Sequence, residues 1–320
     1  MIYLDHAATT PICDAAKKVI IKHLDDFGNP SSAHGLGHKA RILIEDAREC
    51  IAKCINAKPD EIYFTSGGSE ANTMALYSRF SCSSNIEHHS VKASENILCV
   101  NKDGLIHMKD ARQALDEANA WYGVMSCMFV NNELGTIQPI KALSLTSHMF
   151  GMPLHTDAVQ AVGHIPVDVK KIDCDYLSAS GHKFGALKGT GFLYSKTGFS
   201  MRSLINGGKQ ENGLRPGTEN VLGILSMAAA LEDAIEHMEE RNAHVKWLRD
   251  YLLDRLLQIP GSHLNGSLEN RVASNINIRF DGVSGSQLVT LCSLYGICIS
   301  SGSACNEGEQ TPSHVLKAIG

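Results

Sequence analysis

Ser178-Ala179-Ser180-Gly181-His182-Lys183-Phe184-Gly185 is the stretch on which the fold turns. An apolar run over 176–179 ends in small polar residues. A His-Lys pair follows, and then glycine-rich chain through Gly189 and Gly191. The pattern predicts a buried strand whose carboxyl end opens into a crevice, where doubly wound α/β sheets place their ligands. A lysine there stands where a Schiff-base lysine belongs. The alternative is one surface lysine among many.

Outward from this segment, short β-branched or aromatic runs alternate with longer helical ones. The strands predicted are 61–65, 124–130, 153–156, 176–179 and 191–194. Between them Ala40, Leu43, Ile44, Ala47, Ile51, Cys54 and Ile55 recur at three- and four-residue steps and make one apolar helix face. A second helical run spans about 219–257; its charges Glu232, Asp233, Glu236, Glu239, Glu240 and Arg241 read as a solvated face. Strands alternating with helices predict an α/β fold with a mostly parallel, doubly covered sheet. Later the texture changes: a strand over 272–280, a helix over 286–295, a strand over 297–300 and a last helix started by Thr311-Pro312. The expected organisation is a large domain, 15–245, and a smaller α+β domain formed by 1–14 and 246–320.

Composition removes several function classes. The 320 residues are 43% hydrophobic and 20% charged, which excludes a disordered tail or a charge-rich coiled coil. A net charge of −5 argues against nucleic-acid binding by bulk electrostatics and, more weakly, against an anionic membrane surface. The apolar stretch over 221–231 falls short of the ~20 residues that span a bilayer. Met1-Ile2-Tyr3-Leu4-Asp5-His6 has no basic region leading into an apolar one, so no signal peptide is expected. Ten scattered cysteines without a Cys-x-x-Cys pair predict reduced thiols and a cytoplasmic setting, with Cys50 and Cys54 on a buried helix face.

Three further segments carry chemistry. In Leu154-His155-Thr156-Asp157-Ala158-Val159-Gln160 a strand ends at an acid with a glutamine three residues on. An aspartate facing a pyridinium nitrogen keeps a pyridoxal ring an electron sink; read alone, Asp157 is a helix cap sooner than such a partner. Thr65-Ser66-Gly67-Gly68-Ser69-Glu70-Ala71 runs from strand into helix and offers free amides and a hydroxyl to a phosphate monoester. In Ile299-Ser300-Ser301-Gly302-Ser303-Ala304-Cys305-Asn306-Glu307-Gly308 the cysteine lies in small, polar chain. Such a thiol can be solvated and ionised, as a nucleophile must be; the alternative is an incidental loop cysteine. Gly35-Leu36-Gly37-His38-Lys39-Ala40 fits a dinucleotide fingerprint, but Asn29-Pro30-Ser31-Ser32 precedes it where a strand is required. His34 and His38 have metal-ligand spacing without an evident third ligand, so no metal is expected.

Taken together, Tyr3-Leu4-Asp5-His6-Ala7-Ala8-Thr9-Thr10, Gly28-Asn29-Pro30-Ser31-Ser32, 65–70, Asn131-Asn132-Glu133, 157–160, 180–183 and 300–305 resemble, in order along the chain, the cysteine desulfurases of the NifS/IscS kind. These are class V aminotransferase-like enzymes of pyridoxal-phosphate fold type I. The Ser-Ser-Gly-Ser-Ala-Cys segment resembles the branch with a long cysteine loop. The resemblance implies that Lys183 carries pyridoxal 5'-phosphate, that Asp157 and Gln160 bind its pyridine nitrogen and phenolic oxygen, and that Asn132 assists. It implies that Gly68, Ser69, Ser180 and His182 hold the phosphate and that Thr218 reaches the phosphate of the neighbouring subunit of a homodimer. His88 stacks on the ring and relays protons, and Cys305 takes sulfur from L-cysteine, leaving L-alanine, for delivery to an acceptor protein. Members of the family run on past the helix ending in Ala318-Ile319-Gly320 and carry there an arginine for the substrate carboxylate, which is assigned to no residue here. Arg215, a dimer mate or a separate polypeptide are the substitutes considered. The 77–87 segment is short as well. Selenocysteine lyase-type activity, or a pyridoxal-binding scaffold with little turnover, are the alternative readings.

Overall fold

The chain opens with a two-residue strand, β1 (Ile2–Tyr3), and two helices, α1 (Asp14–His23) and α2 (Gly35–Cys54). The computed structural model describes residues 1–77, 80–91, 96–117, 123–199, 201–302 and 313–320. On α2, Ala40, Ile44, Ala47 and Ile51 are buried, the face the three- and four-residue steps predict. His34 accepts a hydrogen bond from Gly37 N and is the N-cap of α2. Among the described residues no group of three or more His, Cys, Asp or Glu could hold a metal ion.

The central elements follow as β2 (Ile62–Thr65), α3 (Gly68–Leu76), β3 (Phe80–Ser84), β4 (Asn96–Leu98), α4 (Met108–Glu117), β5 (Gly123–Ser126), α5 (Ile140–Met149), β6 (Leu154–Asp157), α6 (Val169–Ile172), β7 (Tyr176–Ser180) and β8 (Gly191–Ser195). Among the described residues, seven strands make one sheet in the order β2-β8-β7-β6-β5-β3-β4. Strand β8 runs antiparallel to both neighbours and the other pairs are parallel. Every residue of β5, β6, β7 and β8 is buried, as in a sheet covered on both faces. Tyr176, Phe192, Ile51, Ile62 and Met125 are among the largest fully buried side chains, each worth about 1.5–3 kcal/mol of burial.

The predicted helical run of 219–257 is two helices, α7 (Val221–Glu236) and α8 (Met238–Leu257), broken at His237. Helix α7 packs on α1 and α2; Cys50 and Cys54 are half-buried there, with Cys50 Sγ against Ala228 O. Beyond α8, β9 (Ser262–Leu264) pairs antiparallel with β10 (Ile278–Phe280). After α9 (Gly285–Leu294), β11 (Ile297–Cys298) pairs parallel with β1 and brings the start of the chain to its last third. Helix α10 (His314–Ile319) is capped by Ser313, whose hydroxyl accepts from Leu316 N; Thr311 and Pro312 lie outside the described residues.

Four strands are shorter than predicted: 61–65 begins only at Ile62, 297–300 ends at Cys298, and two others lose more. The 124–130 run leaves the sheet after Ser126, although Cys127 N and Phe129 N still bond to His155 O and Asp157 O. The buried side chain of Asn131 then turns the backbone, accepting from Glu133 N and Leu134 N. Of 272–280 only Ile278–Phe280 is strand. Upstream, Asn275 and Asn277 donate their side-chain amides to Glu133 O instead.

Candidate active site

Strand direction sets which loops meet. β6 and β7 are parallel, so Asp157 and the turn after Ser180 lie at the same sheet edge. β2 opposes β8, which opposes β7, so the end of β2 reaches that edge too. Register places Thr65 beside Gly191 and Gly191 beside Ser180. The predicted lysine, aspartate and phosphate segments therefore converge on the carboxyl edge of the sheet, the place where such folds bind ligands.

Lys183 closes a 3-10 turn, Gly181–Lys183, and its amine donates to the carbonyls of Ala7 and, at 2.9 Å, of Ala8. Gln160 Nε2 donates to the same Ala7 carbonyl at 2.9 Å. The N-terminal segment is bound to the turn from the other side as well. Thr10 donates from both N and Oγ1 to His182 O, and Thr9 Oγ1 lies 3.0 Å from His182 Nδ1. His164 Nε2 donates to Lys183 O at 3.0 Å. Burial, with the nearby charges of Lys183 and Lys188, pushes the His182 imidazole down to about 4, so it is neutral near pH 7.

Asp157 is 4% exposed and both its carboxylate oxygens are used within the protein. Oδ1 accepts from Val159 N at 3.0 Å, the cap its sequence position suggested. Oδ2 accepts from Asn72 Nδ2 at 2.6 Å. The same amide group reaches Ser90 Oγ at 2.8 Å, and Ser90 Oγ lies 2.7 Å from His88 Nδ1. Burial holds His88 below the ordinary histidine value, against the opposing charge of Asp157. His89 is exposed, and its ring is tilted against that of His314, with centroids 4.8 Å apart.

The anion cradle lies at the start of α3. Gly67 is its N-cap and supplies no side-chain cap, leaving the first amides of the helix uncapped by a side chain. Close approach requires glycine here. A Cβ on Gly68 would stand 2.5 Å from Val159 Cγ2, and one on Gly191 would stand 2.7 Å from Gly67 Cα. Ser69 is exposed and Ser180 is buried behind the cradle. Glu70, in the first helical turn, is turned aside by Arg215 Nε at 3.0 Å and Ser66 N at 2.6 Å. Arg215 is thus engaged with Glu70. Thr218 is exposed three residues further on, and Asn132 is half-buried beside the buried Asn131. Cys305 lies outside the described residues.

Asn72, Ser90 and the carbonyls of Ala7 and Ala8 were not singled out by the sequence. Asn72 offered a faint signal, as a polar residue on the buried face of a helix otherwise packed through Ala71, Met74 and Ala75. The donor set suits a ring that carries an aldehyde, a pyridine nitrogen and a phosphate: an amine, a buried carboxylate and a bare helix N-terminus. The side-chain oxygen Asn72 Oδ1 is buried there with no partner among the described residues.

An α/β sheet with a lysine beyond one strand, an acid at the next and a glycine-led helix at a third defines a class. The family Aminotransferase class-V matches residues 2–319, and the chain belongs to it. Its relatives within that family are cysteine desulfurases. Cysteine desulfurase IscS of Dictyoglomus turgidum is 42% identical over 99% of this chain and 85% of its own length. The IscS-like cysteine desulfurase of Mycobacterium tuberculosis is 37% identical over 100% of this chain and 88% of its own. A NifS-like protein from Rickettsia africae superposes with a TM-score of 0.93 at 32% identity, covering 100% of this chain and 90% of that one. A structure described as SspA in complex with cysteine gives 0.84 at 32% identity, covering 100% and 94%. No described helix is long and apolar enough to cross a membrane.

Proposed function

We propose that this protein is a pyridoxal 5'-phosphate-dependent cysteine desulfurase, converting L-cysteine to L-alanine and passing the sulfur through Cys305 to an acceptor protein. The observation that carries the reading is the meeting of Lys183, Asp157 and the bare start of α3 at one sheet edge, in a chain related throughout its length to cysteine desulfurases.

The residues present fit the cofactor. Lys183 would hold its aldehyde, Asp157 would face its pyridine nitrogen, and Gln160 with Asn132 would serve the phenolic oxygen. Gly68, Ser69, Ser180 and His182 would hold the phosphate, with Thr218 reaching the phosphate of the other subunit of a homodimer. When bound, the group supplies an electron sink that makes the substrate Cα–H acidic.

The remaining chemistry belongs to the chain. The amine of Lys183, displaced by the amino group of cysteine, takes the Cα proton at Nζ. The His182 ring would donate a hydrogen bond to the phosphate, whose negative charge would oppose the burial that lowers the imidazole pKa in the protein alone. Cys305 must act as thiolate, since a neutral thiol with a pKa of ~8.5 is a weak nucleophile. It bonds to the substrate sulfur as the carbon–sulfur bond breaks, keeping that sulfur as a persulfide, and the three-carbon product would leave as alanine once Cβ gains a proton and Lys183 Nζ returns the one it took from Cα.

The test is incubation of the loaded protein with L-cysteine, measuring alanine and sulfide with and without added thiol. Stoichiometric alanine and thiol-dependent sulfide support the reading. Bound pyridoxal phosphate without alanine would replace it with a scaffold role.

A further inference from the structure

The path Asp157–Asn72–Ser90–His88 admits one assignment of its hydrogens. A carboxylate only accepts, so the Asn72 atom 2.6 Å from Asp157 Oδ2 is the amide nitrogen. That NH2 group donates its second hydrogen to Ser90 Oγ at 2.8 Å. The Ser90 hydroxyl therefore accepts on that side, and on the other it lies 2.7 Å from His88 Nδ1. A backbone amide can only donate, and Ser90 N lies 3.1 Å from the same Nδ1. His88 Nδ1 thus accepts from two donors and carries no proton.

We propose that Asn72 and Ser90 are positioning residues that hold His88 as its Nε2–H tautomer and join it to Asp157 as one hydrogen-bonded unit. The proposal rests on the reading of Asp157 and His88 given under the proposed function, and gives that site a direction for its protons. The ring nitrogen left for anything outside this path is Nε2, and it presents an N–H. Accepting a proton at Nδ1 would break both bonds from Ser90. His88 is therefore built to donate, and the first removal of a proton from the substrate is left to Lys183.

The groups facing His88 act in the same sense except one. Burial comes first, and the positive charges available at His89 beside it, Lys183 beyond β7 and His314 on α10 all disfavour imidazolium, while Asp157 at the end of β6 favours it.

The test is a 15N spectrum of histidine-labelled full-length protein, loaded and unloaded, with the His88 signals identified by their loss in His88→Asn. The expected wild-type spectrum has a bare Nδ1 and a protonated Nε2. In Ser90→Ala the midpoint of His88 titration should rise by about one pH unit, because a donor to the neutral form is gone. Asn72→Leu should move it the same way, and Ser90→Thr should restore the wild-type spectrum. A protonated Nδ1 in wild type would overturn the proposal, as would an unmoved titration in a folded Ser90→Ala protein. Alanine production by wild type is read separately, so failure of the desulfurase reading leaves a distinct trace from failure of the tautomer assignment.

Discussion

The amine of Lys183 donates to the carbonyl of Ala8 at 2.9 Å, a contact between residues 175 positions apart in the chain. With the Ala7 carbonyl as second acceptor, the amine is aimed by backbone that belongs to the first turn of the protein. That turn is itself fixed, because Tyr3 Oη lies 3.0 Å from both Asp5 O and Thr9 O and shares its one proton between them. The N-terminal segment is thus joined to the site through its backbone carbonyls.

Tyr3→Phe should therefore weaken the site without touching it. Losing these bonds is expected to lower stability by about 1 kcal/mol, read as a lower urea midpoint at unchanged slope. Retention of pyridoxal phosphate on dialysis should fall in parallel.

Glu211 anchors the loop that leads to Arg215 and Thr218. It is 8% exposed and adopts a left-handed backbone conformation, φ 47°, rare for a residue with a side chain. Its carboxylate accepts from Arg48 Nη1 and Nη2 at 2.9 and 2.7 Å, and from Phe64 N at 2.9 Å. Burial alone would lower the Arg48 pKa, but the Glu211 carboxylate holds it above the ordinary arginine value. Glu211→Ala leaves the Phe64 amide unpaired and Arg48 with only Glu45 and the Ile62 carbonyl as partners, and should cost on the order of 2 kcal/mol in urea unfolding. Arg48→Met/Glu211→Leu together should cost less than the sum of the single changes.

Acid stability should depend on His155. It is fully buried between Ser126 Oγ and Ser178 Oγ, at 2.8 and 3.0 Å, and burial pushes it down to about 3. The unfolded chain binds its proton near pH 6.5 and the folded one does not until about 3, so stability falls as pH drops through that window. The slope contributed is one proton, about 1.4 kcal/mol per pH unit at most. A folded His155→Gln protein should show a shallower loss between pH 6 and 4 in urea titrations. An unchanged slope would show that His155 does not carry it.

Glu87 acts with the opposite sign. Burial raises its carboxyl to about 8; Ser84 Oγ and Met128 N both donate to Oε1, while Oε2 has no partner among the described residues. The folded state keeps a proton that the unfolded chain releases near pH 4.5, so stability declines as pH rises toward 8. Glu87→Gln keeps the acceptor and cannot ionise. It should flatten the decline between pH 5 and 8 in urea unfolding.

Much of this fold is legible in the sequence because its signals are local. The α2 face, the apolar runs of β7 and β8 and the Gly-Gly start of α3 each identify themselves within ten residues or so. β3 does not: its Phe80-Ser81-Cys82-Ser83-Ser84 sequence reads as a polar link, yet Cys82, Ser83 and Ser84 are buried, with Ser84 spent on Glu87. Cys127 to Val130 erred the other way, being as apolar as a strand while following the turn that Asn131 imposes. In the site, residues at the ends of elements were found because strand ends announce themselves. Asn72 and Ser90 were missed because their roles depend on partners, such as Asp157, 85 positions away from Asn72, that only the folded chain supplies.

The central claim is that Lys183 carries the cofactor. Its most direct test is the absorbance spectrum of wild-type and Lys183→Ala protein, each mixed with pyridoxal phosphate and dialysed. The account predicts a band at the visible–ultraviolet edge in wild type and its loss in Lys183→Ala. The same band, unaltered in Lys183→Ala, would contradict it.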